Sequence, residues 1–463
     1  MPQVSPRVGE AQRQMRLAAF LYPTGYHVGA WRHPDVPAGA GVDIRHFIKL
    51  ATLAEQACFD FLFLADSSAV RGDDLYALER TAIRYIAQFE PLTLLSALAV
   101  STQRIGLVAS VSTTYNEPYH VARSFASLDH ISGGRTGWNL VTSQNPYEAY
   151  NFGYDAHPPH PARYDRAREF ADVVVGLWDS WDDDAFIRDK AAGLFFRREG
   201  MHVLDHAGEH FRVRGPLNVP RSPQGRPVMV QAGSSDAGRQ LAAETAELVF
   251  TAQDDRGAAR AFADDVRSGA AACGRAAPLV MAGLFPFVGR TRAEAEDKAA
   301  ALQDLVDPIV GLSLLAGQLG GVDLNGYALD GPVPELPLTE GGRSRQHLLV
   351  EAARRDGLSL GELCRRVAGG RGHWTVVGTA EDVADRMEEW FLDGAADGFN
   401  VMGPTLPGGL EDFVARVLPE LRRRGLVRTG YEGRTLRDHL GLARPVDRAT
   451  RAAAGPRLRT ARS

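Results

Sequence analysis

Short apolar runs alternate with amphipathic stretches along most of this chain, and this alternation constrains the fold more than any other feature. The spacing of apolar residues predicts eight β-strands and a helix after most of them. The predicted strands cover residues 17–22, 59–66, 105–113, 135–143, 228–235, 246–252, 279–289 and 398–404. Repeated strand–helix units imply parallel strands, because each return to the sheet needs a crossover.

Eight such units predict an α/β fold, a closed (β/α)8 TIM barrel with large insertions. An open doubly wound sheet stays an alternative, although no G-x-G-x-x-G sequence follows the first strand. The chain has 463 residues, whereas a bare barrel needs about 250. We therefore expect one barrel domain over residues 1–440, with insertions at about 180–226 and 309–375, where Pro and Gly break the alternation. Residues 441–463 carry six Arg and one Asp and are expected to form a basic, disordered tail.

Composition excludes several classes of function. The net charge is −5, with no concentrated basic face of the kind that nucleic-acid binders show. Cys58, Cys273 and Cys364 are far apart in sequence, which argues against a disulfide framework and favours reduced thiols in a cytoplasmic protein. No run of 18 apolar residues is present, so no membrane span is expected, and the N-terminus lacks the apolar segment of a secretory signal.

The active site of a (β/α)8 barrel lies at the carboxyl ends of its strands, and this rule selects candidate residues. Asp66 ends the second predicted strand, and Ser112 and Thr113 end the third. Asn139 lies inside the fourth strand, where a buried amide needs hydrogen-bond partners that a heterocyclic ligand has. Asp66 either faces a ligand or caps the next element, because a carboxylate there must be solvated or hydrogen-bonded.

The segment AGSSDAGRQLAAE, residues 232–244, follows the fifth predicted strand and opens a helix. The N-terminus of a helix has free N–H groups and a partial positive charge. Ser234 and Ser235 would add hydroxyl donors, so the segment is a candidate phosphate site. The alternative is that Ser235 or Asp236 only caps the helix.

The histidines do not predict a metal site. His202, His206 and His210 have the four-residue spacing that a helix would need to bring them together. The sequence around them, HAGEHFRVRGPL, is instead typical of a turn and a strand, and no H-E-x-x-H occurs.

Several segments resemble the flavin-dependent monooxygenases of the bacterial luciferase-like superfamily. They are FDFLFLAD, LDHISGGRTGWNLVTS, HPARYDRAREF and VMVQAGSSDAGRQLAAE. They resemble most the nitrilotriacetate monooxygenase subfamily, which also holds the dibenzothiophene-sulfone monooxygenases and the pristinamycin IIA synthases. The resemblance runs from about residue 16 to residue 426.

The resemblance implies a barrel that uses reduced FMN (FMNH2) from a separate NAD(P)H:flavin reductase, in a homodimer or a homotetramer. It also implies roles for individual residues. Ser234 and Ser235 match the pair that holds the FMN phosphate, and His160 and Tyr164 match an H-x-x-x-Y pair at the start of a helix. The full set of implied cofactor-binding residues is Asp66, Ser112, Thr113, Asn139, His160, Tyr164, Ser234 and Ser235.

Tyr26, His27 and Trp31 follow the first strand, where family members present groups to the substrate. These residues are therefore substrate-side candidates by position. The expected function is a two-component monooxygenase that uses FMNH2 and O2 to oxygenate a small organic substrate. The alternatives are an oxidoreductase of the same superfamily that uses the deazaflavin F420, and a flavin-binding protein without turnover.

Overall fold

The computed structural model describes residues 13–319, 321–324, 326–335, 349–350 and 353–447. The sheet has nine parallel strands: β1 (Arg16–Phe20), β2 (Phe61–Leu64), β3 (Gly106–Ser112), β4 (Thr136–Val141), β5 (Val228–Gln231), β6 (Leu248–Thr251), β7 (Leu279–Val288), β8 (Trp374–Gly378) and β9 (Gly398–Val401) among the described residues. All of them except β8 close into a barrel in the order β9-β1-β2-β3-β4-β5-β6-β7, and β7 pairs with β9 to complete the ring. The predicted (β/α)8 barrel is thus confirmed, and all eight predicted strands are barrel strands.

Helices connect the strands and cover the outside of the barrel. They are α1 (Ile44–Gln56), α2 (Leu75–Leu78), α3 (Pro91–Ser101), α4 (Pro118–Ser132), α5 (Glu148–Asn151), α6 (His160–Trp178), α7 (Asp236–Thr245), α8 (Arg256–Ala272), α9 (Arg292–Asp304), α10 (Pro308–Gln318), α11 (Leu360–Gly370), α12 (Ala380–Leu392), α13 (Gly408–Asp412), α14 (Leu418–Arg423) and α15 (Leu436–Leu440). A π-helical turn, Phe413–Val417, joins α13 to α14.

Local sequence explains where the helices begin and end. The N-cap of α1, Asp43, accepts a hydrogen bond from the backbone N–H of Arg45, 2.9 Å away, as side chains at this position do. Pro91 and Pro118 lie in the first turns of α3 and α4. A backbone N–H has no partner within the helix there, so the absence of this group in proline costs no hydrogen bond. Helix α4 ends at Gly133, which has a left-handed backbone with φ of +71°.

The part of the chain that breaks the alternation contains one element that the sequence does not predict. Strand β8 pairs with the outer half of β7, residues Leu284 to Val288, and has no other partner strand among the described residues. It follows α10 and α11, which pack against each other. Residues 320, 325, 336–348 and 351–352 of the expected insertion lie outside the described residues.

The stretch between α6 and β5 contains a short hairpin, His206–Ala207 paired with Arg212–Val213, as its sequence predicts. Of the expected basic tail, residues 448–463 lie outside the described residues. Among the described residues no single helix has the length and apolar character to cross a membrane. The bent pair of α9 and α10 meets both criteria only when the two helices are taken together.

The last helix, α15, is fastened to the barrel by a buried ion pair. The guanidinium of Arg437 donates to both carboxylate oxygens of Glu247, at 2.7 and 2.9 Å, and only 1% of its side chain is exposed. Glu247 also accepts from the backbone N–H of Met229 at 3.0 Å. The pair therefore connects the end of the chain to β5 and to the start of β6.

Candidate active site

A cavity of about 350 Å³ opens at the carboxyl ends of the barrel strands. Its volume lies within the range of small-molecule sites, about 300–1,000 Å³. Residues from the ends of β1 to β6 and from the loops that follow them line it. Six of the residues selected from the sequence lie on its wall: Tyr26, Asp66, Ser112, Asn139, Tyr164 and Ser234.

Aromatic rings form the apolar floor of the cavity. The ring of Phe63 lies 5.4 Å from that of Phe20 and 5.3 Å from that of Phe250, measured between centroids. Tyr26 meets Phe20 edge-on at 5.7 Å. These spacings are those of favourable aromatic pairs, which add to the free energy of burial. The barrel interior is therefore packed up to the level of the cavity, and the cavity is a cleft rather than a channel.

The wall made by β3, β4 and β5 is polar. Asn139 donates from Nδ2 to Ser110 Oγ at 2.7 Å, while its Oδ1 is buried without a hydrogen-bond partner among the described residues. Gln231 Oε1, at the end of β5, is in the same situation. Buried polar atoms are normally paired, so two unpaired acceptors on one cavity wall are available to a ligand that carries N–H or O–H groups.

Four of the selected residues meet where β5 leads into α7. Ser235 is the N-cap of α7, and its Oγ accepts from the backbone N–H of Gly238 at 3.1 Å. The same Oγ lies 3.4 Å from His160 Nε2 and 3.5 Å from the hydroxyl of Tyr164. Ser234 stands next to it on the cavity wall. The helix N-termini of α6 and α7 thus come together, and Ser235 has the capping role that was the alternative interpretation of its sequence.

Asp66 lies two residues beyond the end of β2 and is half-buried. Burial raises the pKa of its carboxyl group to about 6, and the negative charges of Glu90 and Glu148 act in the same direction. Glu148 holds the loop that follows, since it accepts from Ser67 Oγ at 2.5 Å and from the backbone N–H of Ser68 at 3.2 Å. Asp66 is therefore poised to change its protonation state near neutral pH.

Five of the selected residues are not on the cavity wall: His160 and Ser235, which meet at its edge, and Thr113, His27 and Trp31. Thr113 is fully buried, and its Oγ1 donates to the backbone oxygen of Val141 at 3.3 Å. His27 is buried beside Phe285, its Nδ1 accepts from the backbone N–H of Gly29, and burial lowers its pKa to about 4. Trp31 lies in the short 3-10 helix Ala30–Arg32. Tyr26 is thus the one substrate-side candidate of the three that lines the cavity.

Sequence reasoning did not select several residues of the wall, among them Arg71, Tyr85, Arg371 and His373. Arg71 and Tyr85 belong to the irregular loop between β2 and α3, and Arg371 and His373 come just before the unpredicted strand β8. The strand-end rule could have selected Gln231, because it is the last residue of β5. His373 precedes β8, so the rule, which selects residues at the carboxyl ends of strands, would not select it even if β8 were predicted.

Within the described ranges, no group of three or more His, Cys, Asp or Glu side chains is arranged to hold a metal ion. His202 and His206 contact carboxylates instead. His202 Nε2 lies 2.9 Å from Asp182, and His206 Nε2 lies 2.8 Å from Glu169.

A closed parallel barrel with a polar cavity at the carboxyl ends of its strands defines the class of (β/α)8-barrel enzymes. The family described as luciferase-like monooxygenase matches residues 20–397. The chain belongs to this family, which acts with reduced flavin and O2, and the resemblance of its sequence segments is confirmed.

Three known proteins illustrate the similarity. N-acetyl-S-(2-succino)cysteine monooxygenase of Bacillus subtilis (strain 168) is 50% identical over 441 residues, which are 94% of this chain and 98% of that protein. Nitrilotriacetate monooxygenase component A of Aminobacter aminovorans is 48% identical, over 94% of this chain and 98% of its own. A crystal structure of riboflavin lyase with modified FMN and riboflavin has a TM-score of 0.82 and 34% identity, covering 96% of this chain and 100% of that one.

Proposed function

We propose that this protein is the oxygenase component of a two-component system, which binds reduced FMN and uses O2 to oxygenate a small organic substrate. Reduced FMN supplies the electrons that activate O2, and the protein supplies binding, orientation and the exclusion of water. The meeting of Ser234, Ser235, His160 and Tyr164 at one edge of the cavity is the observation that carries this proposal. It provides hydroxyl and imidazole groups and a helix N-terminus for one phosphate.

The polar wall suits the ring system of a flavin. An isoalloxazine has both N–H donors and carbonyl acceptors along one edge. Asn139 Oδ1 and Gln231 Oε1 are buried acceptors that lack a partner among the described residues, and we assign them to donors of the flavin. Ser112, which is 2.7 Å from Ser143 through their hydroxyl oxygens, is assigned to the same wall.

Asp66 is assigned to the cofactor side as well. With a pKa near 6, its carboxyl group is a hydrogen-bond donor in acid solution and an acceptor above neutrality. Tyr26 is assigned to the substrate side, since it stands over the aromatic floor with its ring against Phe20 and Phe285. The floor keeps water away from the reacting groups, which limits the loss of oxidising equivalents to solvent.

We propose a separate NAD(P)H:flavin reductase as the source of reduced FMN. One of the relatives is named as component A, the designation of one part of a multi-component enzyme. The expectation of a homodimer or a homotetramer stays a prediction, which analytical ultracentrifugation of the full chain tests directly.

The test is cofactor binding followed by turnover. Titration with FMN, riboflavin and F420 should give tightest binding to FMN, because only FMN ends in a terminal phosphate monoester, whereas riboflavin has no phosphate and F420 has a phosphodiester on its ribityl chain. Oxygen uptake is then measured with chemically reduced FMN, with nitrilotriacetate or N-acetyl-S-(2-succino)cysteine as substrate, and product is identified by mass spectrometry with ¹⁸O2. Incorporation of ¹⁸O into product supports the proposal.

The same experiment separates the alternatives. Preference for F420, with substrate oxidised and no ¹⁸O incorporated, would favour the deazaflavin oxidoreductase. Tight FMN binding without turnover of any compound in a broad panel of organic acids, sulfones and imines would favour a flavin-binding protein.

A further inference from the structure

The turn that follows β4 is held by an arginine from α6. Ser143 lies two residues beyond the end of β4 and lines the cavity. The Nη1 atom of Arg163, at the start of α6, donates to the backbone oxygen of Ser143 and, at 3.0 Å, to that of Thr142. One donor nitrogen therefore holds two consecutive carbonyl groups at the carboxyl end of a barrel strand.

The backbone of Ser143 needs such a restraint. This residue has a left-handed conformation with φ of +57°, which is unfavourable for a residue with a side chain. Such conformations persist only where the surrounding structure holds them, and they occur often at ligand sites. The two carbonyl groups bound by Arg163 belong to the peptide units on either side of the Ser143 α-carbon. Arg163 therefore restrains both backbone torsions of Ser143.

The hydroxyl of Ser143 forms a pair with that of Ser112 on the cavity wall. Their oxygen atoms are 2.7 Å apart, and Ser112 Oγ also accepts from the backbone N–H of Thr114 at 3.1 Å. Two hydroxyl groups carry two protons, and the bond between the serines uses one of them. Within the described part of the chain neither hydroxyl donates to any other acceptor, so one proton is left for a ligand in the cavity.

A second arginine of α6 holds the neighbouring strand end in the same way. Arg166 Nε donates at 3.2 Å to the backbone oxygen of Thr113, the residue after Ser112. Arg163 and Arg166 are three residues apart, so they lie on the same side of the helix. The strand ends that carry the two serines are thus both attached to α6, whose first turn belongs to the proposed phosphate site.

We propose that Arg163 is a positioning residue for the flavin ring, which acts through Ser143, and that the hydroxyl pair of Ser143 and Ser112 donates to a carbonyl group of that ring. This inference rests on the proposed function and connects its two halves. A ring carbonyl is the acceptor that the remaining hydroxyl proton needs, as the buried oxygens of Asn139 and Gln231 need N–H donors. Helix α6 thus binds the phosphate at its N-terminus and, through Arg163, fixes a donor to the ring.

The test is titration of the full-length protein with FMN and with riboflavin, together with the absorption spectrum of the bound flavin. Arg163→Gln should weaken the binding of both flavins about 3- to 10-fold, the equivalent of one neutral hydrogen bond, because both carry the ring. The long-wavelength absorption band of the bound flavin should shift, since a hydrogen bond to a ring carbonyl changes the energy of the transition. Arg163→Lys should recover part of the affinity, because an ammonium group can take the place of one donor nitrogen.

A double-mutant cycle shows whether Arg163 acts through Ser143. Ser143→Ala removes the hydroxyl and should weaken the binding of both flavins at least as much as Arg163→Gln, with a spectral shift in the same direction. The double variant Arg163→Gln/Ser143→Ala should bind them no more weakly than Ser143→Ala alone. Thermal unfolding checks each variant, and Arg163→Lys completes the same cycle if Arg163→Gln does not fold.

Arg168→Gln is the matched control. Arg168 also lies on α6 but pairs with Asp165 and Glu244, so this variant should bind both flavins like the parent. Additive losses in the double variant, or parent-like riboflavin affinity and spectrum in Arg163→Gln, overturn the inference while FMN-dependent oxygenation can still stand. Weaker binding of FMN but not of riboflavin also overturns it, since Arg163 would then hold the phosphate. A parent protein that binds neither flavin overturns the proposed function itself, and the inference with it.

Discussion

The hydroxyl of Tyr164 lies 3.5 Å from Ser235 Oγ and thereby joins the first turns of α6 and α7 beside the cavity. Tyr164 is buried, so its position is fixed by packing and not by this long contact. A third polar group placed between the two oxygens, such as a phosphate oxygen, would shorten both interactions. This geometry leads to the first two predictions.

Tyr164→Phe should weaken the binding of FMN by about 1–3 kcal/mol, the range for a lost hydrogen bond to a charged group. The binding of riboflavin, which has no phosphate, should be unchanged. Fluorescence titration with both compounds makes this comparison, and thermal unfolding checks that the ring still packs. Equal losses for FMN and riboflavin would place the phosphate elsewhere.

Ser235 and Ser234 should differ in their effect on stability. Ser235→Ala removes both the N-cap of α7 and one of the proposed phosphate ligands, so we expect a loss of about 1 kcal/mol in the free energy of unfolding together with weaker FMN binding. Ser235→Gly should keep most of the stability and still lose affinity. Ser234→Ala, which removes no cap, should reduce affinity alone. Urea unfolding and FMN titration of the three variants, and of the Ser234→Ala/Ser235→Ala pair, check this.

Asp66 should make stability depend on pH. Its pKa is near 6 in the folded protein and about 4 in an unfolded chain, so the folded state binds the proton more tightly. Below about pH 4 Asp66 is protonated in both states, so its ionisation does not change the free energy of unfolding. As pH rises, ionisation of Asp66 lowers the free energy of unfolding, and this loss is complete above about pH 6. Asp66→Asn should therefore be more stable than the parent at neutral pH, and equally stable in acid.

Urea unfolding of cofactor-free protein at both ends of this pH range provides the measurement. The control is Asp35→Asn, because the side chain of Asp35 is 90% exposed and its substitution should change stability little at either pH. If Asp66→Asn raises the free energy of unfolding by the same amount at neutral and at acid pH, the carboxylate charge is not the cause of the stabilisation.

The ion pair between Arg437 and Glu247 should be important for folding. Glu247→Gln leaves a buried guanidinium without its counter-charge, and we expect a loss of about 3–5 kcal/mol in the free energy of unfolding. Asp264→Asn breaks an exposed pair with Arg260, in which both side chains are about half exposed, and should cost less than about 1 kcal/mol. Similar losses in the two variants would mean that α15 contributes little to the stability of the barrel.

Strand and helix positions could be predicted from the sequence wherever burial imposes a continuous apolar run or a helical period. All four residues of β2 and all seven of β3 are buried, and the sequence marks both strands. The same reasoning fails at β8, in which Thr375 is exposed and Val377 half-buried, because a strand that covers one edge of β7 needs no apolar run.

The candidate site likewise contains residues that could be predicted from the sequence and residues that could not. The strand-end rule and the family resemblance selected Asp66, Ser112 and Asn139, whose positions follow from the barrel itself. They missed Arg71 and Arg371, since these stand on loops whose course is set by contacts far away in sequence. Arg371 reaches the cavity only because α11 and β8 bring it there.

The ten-residue strand β7 has three partner strands: its first half pairs with β6 and with β9, which closes the barrel, and its second half pairs with β8. The backbone of β8 anchors the segment that carries Arg371 and His373. Main-chain hydrogen bonds do not depend on side-chain identity, so the pairing of β8 with β7 does not itself require an arginine at position 371 or a histidine at position 373. Substitutions at these two positions can thus change the wall of the cavity while the pairing of β7 with β6 and β9, which closes the ring of eight strands, is kept.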